Sequence, residues 1–225
     1  MANTETTINA VIHPQLNETP VDIEKTIKAL ERNKFVVHYF ETGTEAVAYL
    51  KNRIQNKCVA IGDSRTLLEI GVHDALSEVN EDITDIQRPL PGESFRDTAL
   101  RTMGRDVFLT SVNALSQTGE MVNIDGTGNR VAASLFGSQE VFFVLGVNKI
   151  TPDLASAIYR ARNVAAPLNS KKNKKSSLNP CATLDEKCYD CGSPDRICNA
   201  LTIYYKKMRN MQTMEIIIIN ESLGF

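Results

Sequence analysis

The chain has no excess of positive charge. Its 225 residues include 25 lysines and arginines against 27 aspartates and glutamates, which gives a formal net charge of −2. General nucleic-acid binding depends on lysines and arginines that neutralise backbone phosphates, so nucleic acid is not an expected partner.

Long hydrophobic runs and a leader-like start are also missing. Residues 1–16 lack a basic start and an apolar run, and no later stretch reaches the length that spans a bilayer. The cysteines are not spread as in a disulfide framework, because four of the five fall within eighteen residues and Cys58 stands alone in a strand-like run. We therefore expect a cytoplasmic protein that is neither secreted nor inserted in a membrane.

Two common nucleotide-binding motifs are absent. The glycines of the glycine-rich loops do not have the dinucleotide spacing, and no Gly-Lys-Ser/Thr phosphate loop occurs, so neither NAD nor ATP is supported as a cofactor. His13, His38 and His73 lie near no serine or cysteine motif. A histidine-dependent catalytic triad is therefore not expected.

The composition, 42% hydrophobic and 23% charged, predicts one globular domain over residues 21–225, with a polar segment over residues 1–20 and a cysteine-rich appendage at 180–199. Apolar runs alternate with helical patterns, which favours a mostly parallel sheet covered by helices. The predicted strands are Phe35–Phe40, Cys58–Ile61, Ile83–Gln87, Val107–Ser111, Met121–Ile124, Val141–Leu145, Leu201–Tyr205 and Met214–Ile219, and the last two are expected to pair with each other.

The helical patterns follow the apolar runs along the chain. The predicted helices are Val21–Asn33, Thr44–Ile54, Arg65–Leu76, Ser94–Met103 and Pro152–Asn163, the last capped by Thr151. The segment Ser170–Asn179 contains four lysines and predicts a mobile surface loop.

Four loops follow predicted strands, where ligands bind in open parallel sheets. The first runs from Gly62 through Asp63, Ser64 and Arg65 to Thr66. Its glycine permits close backbone approach, and its hydroxyls and helix start suit a phosphate or a carboxylate. The alternative is that Asp63 or Ser64 only caps the helix.

The second and third loops are Ser111–Ala114 and Asn123–Arg130. In the third loop, Asp125 is a candidate general base or hydrogen-bond partner for a hydroxyl, and Arg130 is a candidate clamp for a carboxylate or phosphate. The alternative is a tight turn with a surface arginine.

The fourth loop, Gly146–Lys149, precedes a helix with Arg160 and Arg162. These cations would make the strand-end cleft locally positive and suited to an anionic small molecule. The alternative is that the two arginines lie on different helix faces and only solvate the surface.

Cys181, Cys188, Cys191 and Cys198 form a pattern of x6, x2 and x6 spacings. Four thiolates can hold zinc or an iron–sulfur cluster, and the central Cys-x-x-Cys is a knuckle used by both kinds of site. The spacing equals neither usual ferredoxin pattern, so reduced or oxidised cysteines without a metal remain an alternative.

Several of these motifs, in this order, resemble the LUD (lactate-utilisation) domain family. The resemblance covers roughly Val21 to the C-terminus, and its cysteine segment resembles a subgroup with a cysteine-rich tail. The motifs are Gly62–Leu67 with Gly71, Asn113–Ala114 with Thr118–Glu120, Asn123–Arg130, Gly146–Lys149, and Arg160–Asn163 with Pro167.

The resemblance implies a three-layer α/β/α fold, similar to ribose-5-phosphate isomerase and CoA transferases, and a role in the oxidation of L-lactate in bacteria. The commonest first loop of the family has a second glycine where this chain has Asp63, so the same ligand is not implied. Glu120 lies loosely where CoA transferases have their nucleophile, but its surrounding motif differs and that role is not transferred.

The site hypothesis combines the loops with the cysteines. Asp125 and Asn129 are the catalytic candidates, and the four cysteines are the metal candidates. The ligand-binding candidates are Gly62, Ser64, Thr66, Asn113, Gly126, Thr127, Gly128, Arg130, Asn148, Lys149 and Arg162.

Three functions compete. The first is an oxidoreductase component for L-lactate or a related hydroxy acid, with lactate-utilisation partner subunits or a homo-oligomer. The second is a sugar-phosphate or acyl-CoA enzyme of the isomerase or transferase type. The third is a non-catalytic regulatory subunit.

Overall fold

The computed structural model describes residues 20–172, 178–184 and 187–225. Its strands are β1 Val36–Phe40, β2 Cys58–Ile61, β3 Asp82–Asp85, β4 Val107–Thr110, β5 Ala114–Ser116, β6 Met121–Asp125, β7 Glu140–Gly146, β8 Ile150–Thr151, β9 Ala200–Tyr204 and β10 Thr213–Ile219. Its helices are α1 Ile23–Arg32, α2 Gly43–Arg53, α3 Arg65–Glu69, α4 Val72–Ser77, α5 Phe95–Arg101, α6 Asn129–Leu135, α7 Leu154–Arg160, α8 Ala166–Lys172 and α9 Pro180–Thr183.

Six strands form an all-parallel sheet in the order β1-β10-β7-β4-β2-β3. Strand β7 is buried along its whole length, and β10 ends in four consecutive isoleucines that are fully buried. Strands that are apolar on both faces need cover on both faces, which parallel sheets obtain from helices. The predicted α/β fold with a mostly parallel sheet is therefore confirmed.

The sheet separates two apolar layers. On one face, Phe142 and Ile217 pack with residues of α2, α3 and α4. On the other face, Phe143 and Ile218 pack with residues of α1 and α6 and with a smaller sheet. Side chains of successive strand residues point to opposite faces, which is why neighbours in the chain enter different layers.

The smaller sheet has the order β8-β5-β6-β9. Strand β6 is antiparallel to both β5 and β9, whereas β5 and β8 are parallel. Leu115, Met121 and Tyr204 attach it to the main core, because all three lie in the same buried cluster as Phe143.

Two predicted helices differ from the structure. The predicted helix Arg65–Leu76 is two helices, because Gly71 has a positive φ of 71° that ends α3 and begins α4. The predicted helix Pro152–Asn163 is capped by Asp153, whose side chain accepts a hydrogen bond from the N–H of Ser156. Thr151 does not cap it, since it is paired in β8 and its hydroxyl donates to main-chain oxygens.

The expected pairing of the last two strands is wrong. Strand β9 pairs with β6 in the small sheet, while β10 lies between β1 and β7 in the large sheet. The predicted mobile loop Ser170–Asn179 begins within α8, contains the buried Asn179, and has residues 173–177 outside the described part of the chain. Most of the predicted polar segment 1–20 also lies outside it.

Among residues 20–172, 178–184 and 187–225, no helix is both long enough and apolar enough to span a membrane.

Candidate functional site

A cleft of about 240 Å³ lies at the carboxyl edge of the large sheet. Loops that follow β2, β4 and β7 reach it, as does the turn that follows β6 of the small sheet. The carboxyl ends of parallel strands meet at one edge, so this position follows from the topology. Phe95, Ile197 and Phe225 add apolar surface to the same cleft.

Lys149 lies at the bottom of the cleft and is only 3% exposed. Its Nζ atom donates to Oγ1 of Thr66 at 2.9 Å and to Oγ of Ser111 at 3.1 Å. Burial, together with the smaller effect of the nearby charges of Arg160 and Arg130, lowers the pKa of Lys149 to about 7. Close to neutral pH, this amine is therefore divided between its charged and neutral forms.

Arg160 is a second buried cation. It donates to main-chain oxygens, from Nε to Asn148 at 3.1 Å and from Nη1 to Asn113 and Phe225. Burial lowers its pKa to about 10, which leaves the guanidinium charged at neutral pH. Arg160 thus fixes the loops after β4 and β7 relative to each other and adds positive charge behind Lys149.

Asp125 and Arg130 form the turn that closes one side of the cleft. One carboxylate oxygen of Asp125 accepts from the N–H groups of Thr127 at 3.0 Å and Gly128 at 2.7 Å, and the other lies 3.5 Å from Nε of Arg130. Arg130 also donates to the main-chain oxygen of Ile124 at 2.6 Å. Asp125 therefore shapes the turn and orients the guanidinium.

Asn113 connects the loop after β4 to this turn. Its Oδ1 atom accepts from the N–H of Ile124 at 2.7 Å and from Nη2 of Arg130 at 3.3 Å. Its own N–H donates to Oδ1 of Asn123 at 3.0 Å. The hydrogen bonds of Asn113 and Asn123 therefore connect the loop after β4 with the turn that contains Arg130.

Most of the predicted site residues are brought together. The predicted residues that line the cleft are Ser64, Asn113, Asp125, Gly126, Thr127, Asn129, Arg130 and Lys149. Thr66 does not line the cleft itself, but its hydroxyl accepts a hydrogen bond from Lys149, which does. Ser64 also caps α3, since its hydroxyl accepts from the N–H of Leu67 at 3.2 Å.

Besides Thr66, four predicted ligand-binding residues do not line the cleft: Gly62, Gly128, Asn148 and Arg162. Gly62 has no room for a side chain, because a Cβ there would lie 2.9 Å from the Phe108 ring. Oδ1 of Asn148 accepts from the N–H of Leu223 at 3.1 Å, which positions the C-terminal segment. Arg162 faces the cysteine segment instead, where its side chain is 44% exposed and pairs with Asp190.

Sequence reasoning missed several residues of the cleft. Ser111 was within a predicted loop but not proposed as a site residue, although a hydroxyl directly after a strand is a usable signal. Asn169, Lys172 and Phe225 also line the cleft. They come from α8 and the C-terminal segment, neither of which was predicted to belong to the site.

The cysteine segment lies beside the cleft. The N–H of Asn199 donates to the main-chain oxygen of Asp125 at 3.0 Å, and a Cβ on Gly126 would lie 2.9 Å from the main-chain oxygen of Ile197. Cys188 and Cys198 line a separate cavity of about 280 Å³ with Arg162 and Arg196. Nε of Arg196 lies 3.2 Å from Sγ of Cys198.

All five cysteines are free thiols in this structure. Within residues 20–172, 178–184 and 187–225, no group of three or more histidine, cysteine, aspartate or glutamate side chains is arranged to hold a metal ion. The described arrangement therefore does not provide a fitted metal site, and the zinc or iron–sulfur site stays a prediction.

Fold and cleft together define an α/β/α protein with a buried lysine and a cationic, strand-end cleft. The LUD domain profile matches residues 23–219, so the chain belongs to the LUD domain family. That membership supports, in general terms, a role related to lactate utilisation. A crystal structure of a DUF162 family protein from Deinococcus radiodurans is similar, with a TM-score of 0.51 and 13% identity over 89% of this chain and 99% of that chain. No curated protein matches the sequence.

Proposed function

We propose that the protein takes part in the oxidation of L-lactate or a related hydroxy acid, and that its cleft binds the small carboxylate substrate or its 2-oxo product. The observation behind this proposal is the unbalanced positive charge of the cleft. Lys149 and Arg160 are both buried, and no aspartate or glutamate side chain of the described residues forms a salt bridge with either. A buried positive charge without a negative side chain beside it is costly, so an anionic ligand would stabilise this arrangement.

Arg130 is the proposed carboxylate partner. It lines the cleft, and its side chain is 14% exposed, so part of the guanidinium remains accessible. Nε and Nη2 are held by Asp125, Asn113 and Ile124, which fixes the plane of the group before any ligand arrives. A guanidinium with a fixed plane suits recognition of a planar carboxylate.

The size of the cleft supports a small ligand. Its volume of about 240 Å³ lies below the range of roughly 300–1,000 Å³ that is common for drug-sized ligands. Ser64 and Asn129 also line the cleft and are proposed to contact the hydroxyl or carbonyl group of the acid. A three-carbon acid therefore suits both the charge and the space.

Binding of L-lactate, pyruvate and D-lactate, measured by isothermal titration calorimetry, tests this proposal. Lactamide is the matched ligand control, because it has the same shape without the negative charge. We expect saturable binding of at least one acid and none of lactamide. Arg130→Gln should weaken binding about tenfold or more, whereas Arg88→Gln, at an exposed pair with Asp74, should leave it unchanged.

The same measurement can reject the proposal. If none of the acids binds while a sugar phosphate or an acyl-CoA does, the isomerase or transferase type of function is favoured instead. If an acid binds but the purified protein with an added electron acceptor does not consume it, the regulatory function is favoured.

A further inference from the structure

The surroundings of Lys149 differ from those of a lysine that only attracts anions. Anion-attracting lysines usually keep their ammonium groups hydrated, whereas Nζ of Lys149 is buried between two hydroxyl groups. A neutral amine has two N–H donors and one lone pair. Thr66 and Ser111 each accept one N–H, which leaves the lone pair for a third partner in the cleft that Lys149 lines.

The charges that face Lys149 favour the neutral amine. Arg160, from α7, and Arg130, from α6, lower its pKa, and Glu69, from α3, has a smaller, opposite effect. From the segment after β10, Gly224 lies next to the amine, because a Cβ on it would be 3.1 Å from Nζ. A desolvated lysine next to other cations is the usual form of an amine nucleophile.

We propose that Lys149 is a covalent binding site for 2-oxo acids, in which Nζ attacks the carbonyl carbon while Arg130 holds the carboxylate. This inference rests on the proposed function, since it assigns a step to the 2-oxo acid in the same cleft. The inference makes Lys149 a nucleophile, in addition to its role as a positive charge in the cleft.

The step balances without an oxidant or a reductant. The lone pair of the neutral amine forms the C–N bond, and an amine proton passes to the carbonyl oxygen to give a carbinolamine. Loss of the hydroxyl group as water, with the second amine proton, gives the imine. Oγ1 of Thr66 and Oγ of Ser111 lie within hydrogen-bond distance of Nζ and 3.4 Å from each other, so they are placed to relay these protons.

Reductive trapping tests the inference. The full chain is incubated with pyruvate and sodium cyanoborohydride, which reduces imines, and is then analysed by intact-mass and peptide mass spectrometry. We expect a single adduct on Lys149 with the mass of pyruvic acid less one oxygen atom. At pH 7, labelling of Lys149 should exceed that of the exposed Lys28 by on the order of a thousandfold, because few exposed lysines are neutral at this pH.

Two variants and a pH series serve as controls. Lys149→Met should abolish the adduct, because methionine has no amine to attack the carbonyl carbon. Lys28→Met should change neither the adduct on Lys149 nor the binding of L-lactate. If Lys149→Met fails to fold, the wild-type pH series still decides, because trapping at Lys149 should rise with a midpoint near pH 7 rather than near the pKa of exposed lysines.

The outcomes separate this inference from the proposed function. If pyruvate binds but no adduct forms on Lys149, or if Lys149 is labelled no faster than Lys28, the covalent step is overturned and the carboxylate site stands. If neither pyruvate nor L-lactate binds and no adduct is trapped, the proposed function fails together with the inference.

Discussion

Nζ of Lys149 lies 2.9 Å from Oγ1 of Thr66, although the two residues are 83 positions apart in the chain. Thr66 follows β2, Ser111 follows β4, and Lys149 follows β7. These three strands are adjacent in the sheet order. The order of the parallel strands therefore brings the amine and both of its hydroxyl partners to one point at the carboxyl edge.

The first prediction concerns stability against pH. The pKa of Lys149 is lowered to about 7 in the folded state, whereas an unfolded lysine has a pKa near 10.4. Between these values the unfolded state binds more protons, so this residue makes the free energy of unfolding rise with pH, by up to about 1.4 kcal/mol per pH unit. Its contribution is fully present above about pH 10.4 and is lost as pH falls through about 7.

Urea unfolding of the wild type and of Lys149→Met between pH 6 and pH 10 measures this contribution, with the pH limits set by the two pKa values. We expect the variant to be the more stable of the two at the acidic end, and its advantage to shrink as pH rises. The other titrating groups are common to both proteins and cancel in the difference. If the difference in the free energy of unfolding between the two proteins stays constant with pH, the amine of Lys149 keeps an ordinary pKa in the folded state.

The second prediction distinguishes the two roles considered for Asp125. Asn keeps an acceptor for the N–H groups of Thr127 and Gly128 but removes the charge beside Arg130. We expect Asp125→Asn to fold and to bind L-lactate about threefold to tenfold more tightly, because Arg130 then has no competing carboxylate. Asp125→Ala should lower the free energy of unfolding by about 1–3 kcal/mol, since two N–H groups lose their acceptor.

Calorimetric titration with L-lactate and urea unfolding check both expectations. Weaker binding by a folded Asp125→Asn variant would show that the carboxylate itself contacts the ligand. If Asp125→Asn binds L-lactate as the wild type does but no longer supports its oxidation, Asp125 acts as the general base that the sequence predicted.

Much of the cleft could be predicted because its parts follow strands of a parallel sheet. Such strands run in one direction, so the loops after β2, β4 and β7 had to meet at one edge once the strands were recognised. The small sheet could not be recognised in the same way. Strands β5 and β8 have three and two residues, which is too short for a period of two to be visible.

Burial could not be read from the sequence either. Lysine is almost never fully buried, so the sequence indicated a charge at Lys149 and not a partly neutral amine. Arg160 and Arg162 are two positions apart and were expected near one cleft, but one is buried behind it and the other is exposed beside Cys188. Residues two apart on a helix point in nearly opposite directions. The alternative that Arg160 and Arg162 lie on different helix faces is therefore the one that the structure shows.

The third prediction concerns the opposite edge of the sheet, where Glu140 is the first residue of β7 and Glu215 the third residue of β10, with side chains 6% and 4% exposed. Arg53 contacts both, and it lies 3.0 Å from Glu215. We expect Arg53→Met to lower the free energy of unfolding by about 3 kcal/mol, because it leaves two buried carboxylates short of a partner. The partial exposure of Arg53 and the nearby Lys57 limit the loss.

Urea unfolding at neutral pH measures this effect. Arg88→Met is the control, since its partner Asp74 has a side chain 73% exposed and the pair should contribute less than about 0.5 kcal/mol. Adding Glu140→Gln and Glu215→Gln to Arg53→Met should restore part of the stability. An Arg53→Met variant as stable as Arg88→Met would show that the two glutamates do not need the guanidinium.

The last prediction concerns the cysteine segment, where the sequence and the described geometry favour different answers. The spacing of Cys181, Cys188, Cys191 and Cys198 predicts zinc or an iron–sulfur cluster. The described residues hold no arrangement ready for a metal, so a bound metal requires the segment to close around it. Closure would couple metal binding to the cleft, because Asn199 is bonded to Asp125 and Gly126.

Elemental analysis and visible absorption of protein purified without oxygen test for the metal. We expect about one zinc ion or one cluster per chain, in accordance with four thiolate ligands. Cys191→Ser should remove the metal and weaken L-lactate binding, whereas Cys58→Ser, outside the segment, should retain both. Because metal binding to such segments is linked to folding, a chelator should also lower the melting temperature of the wild type but not that of Cys191→Ser. Metal-free wild type with the same melting temperature as Cys191→Ser would establish the four cysteines as ordinary thiols.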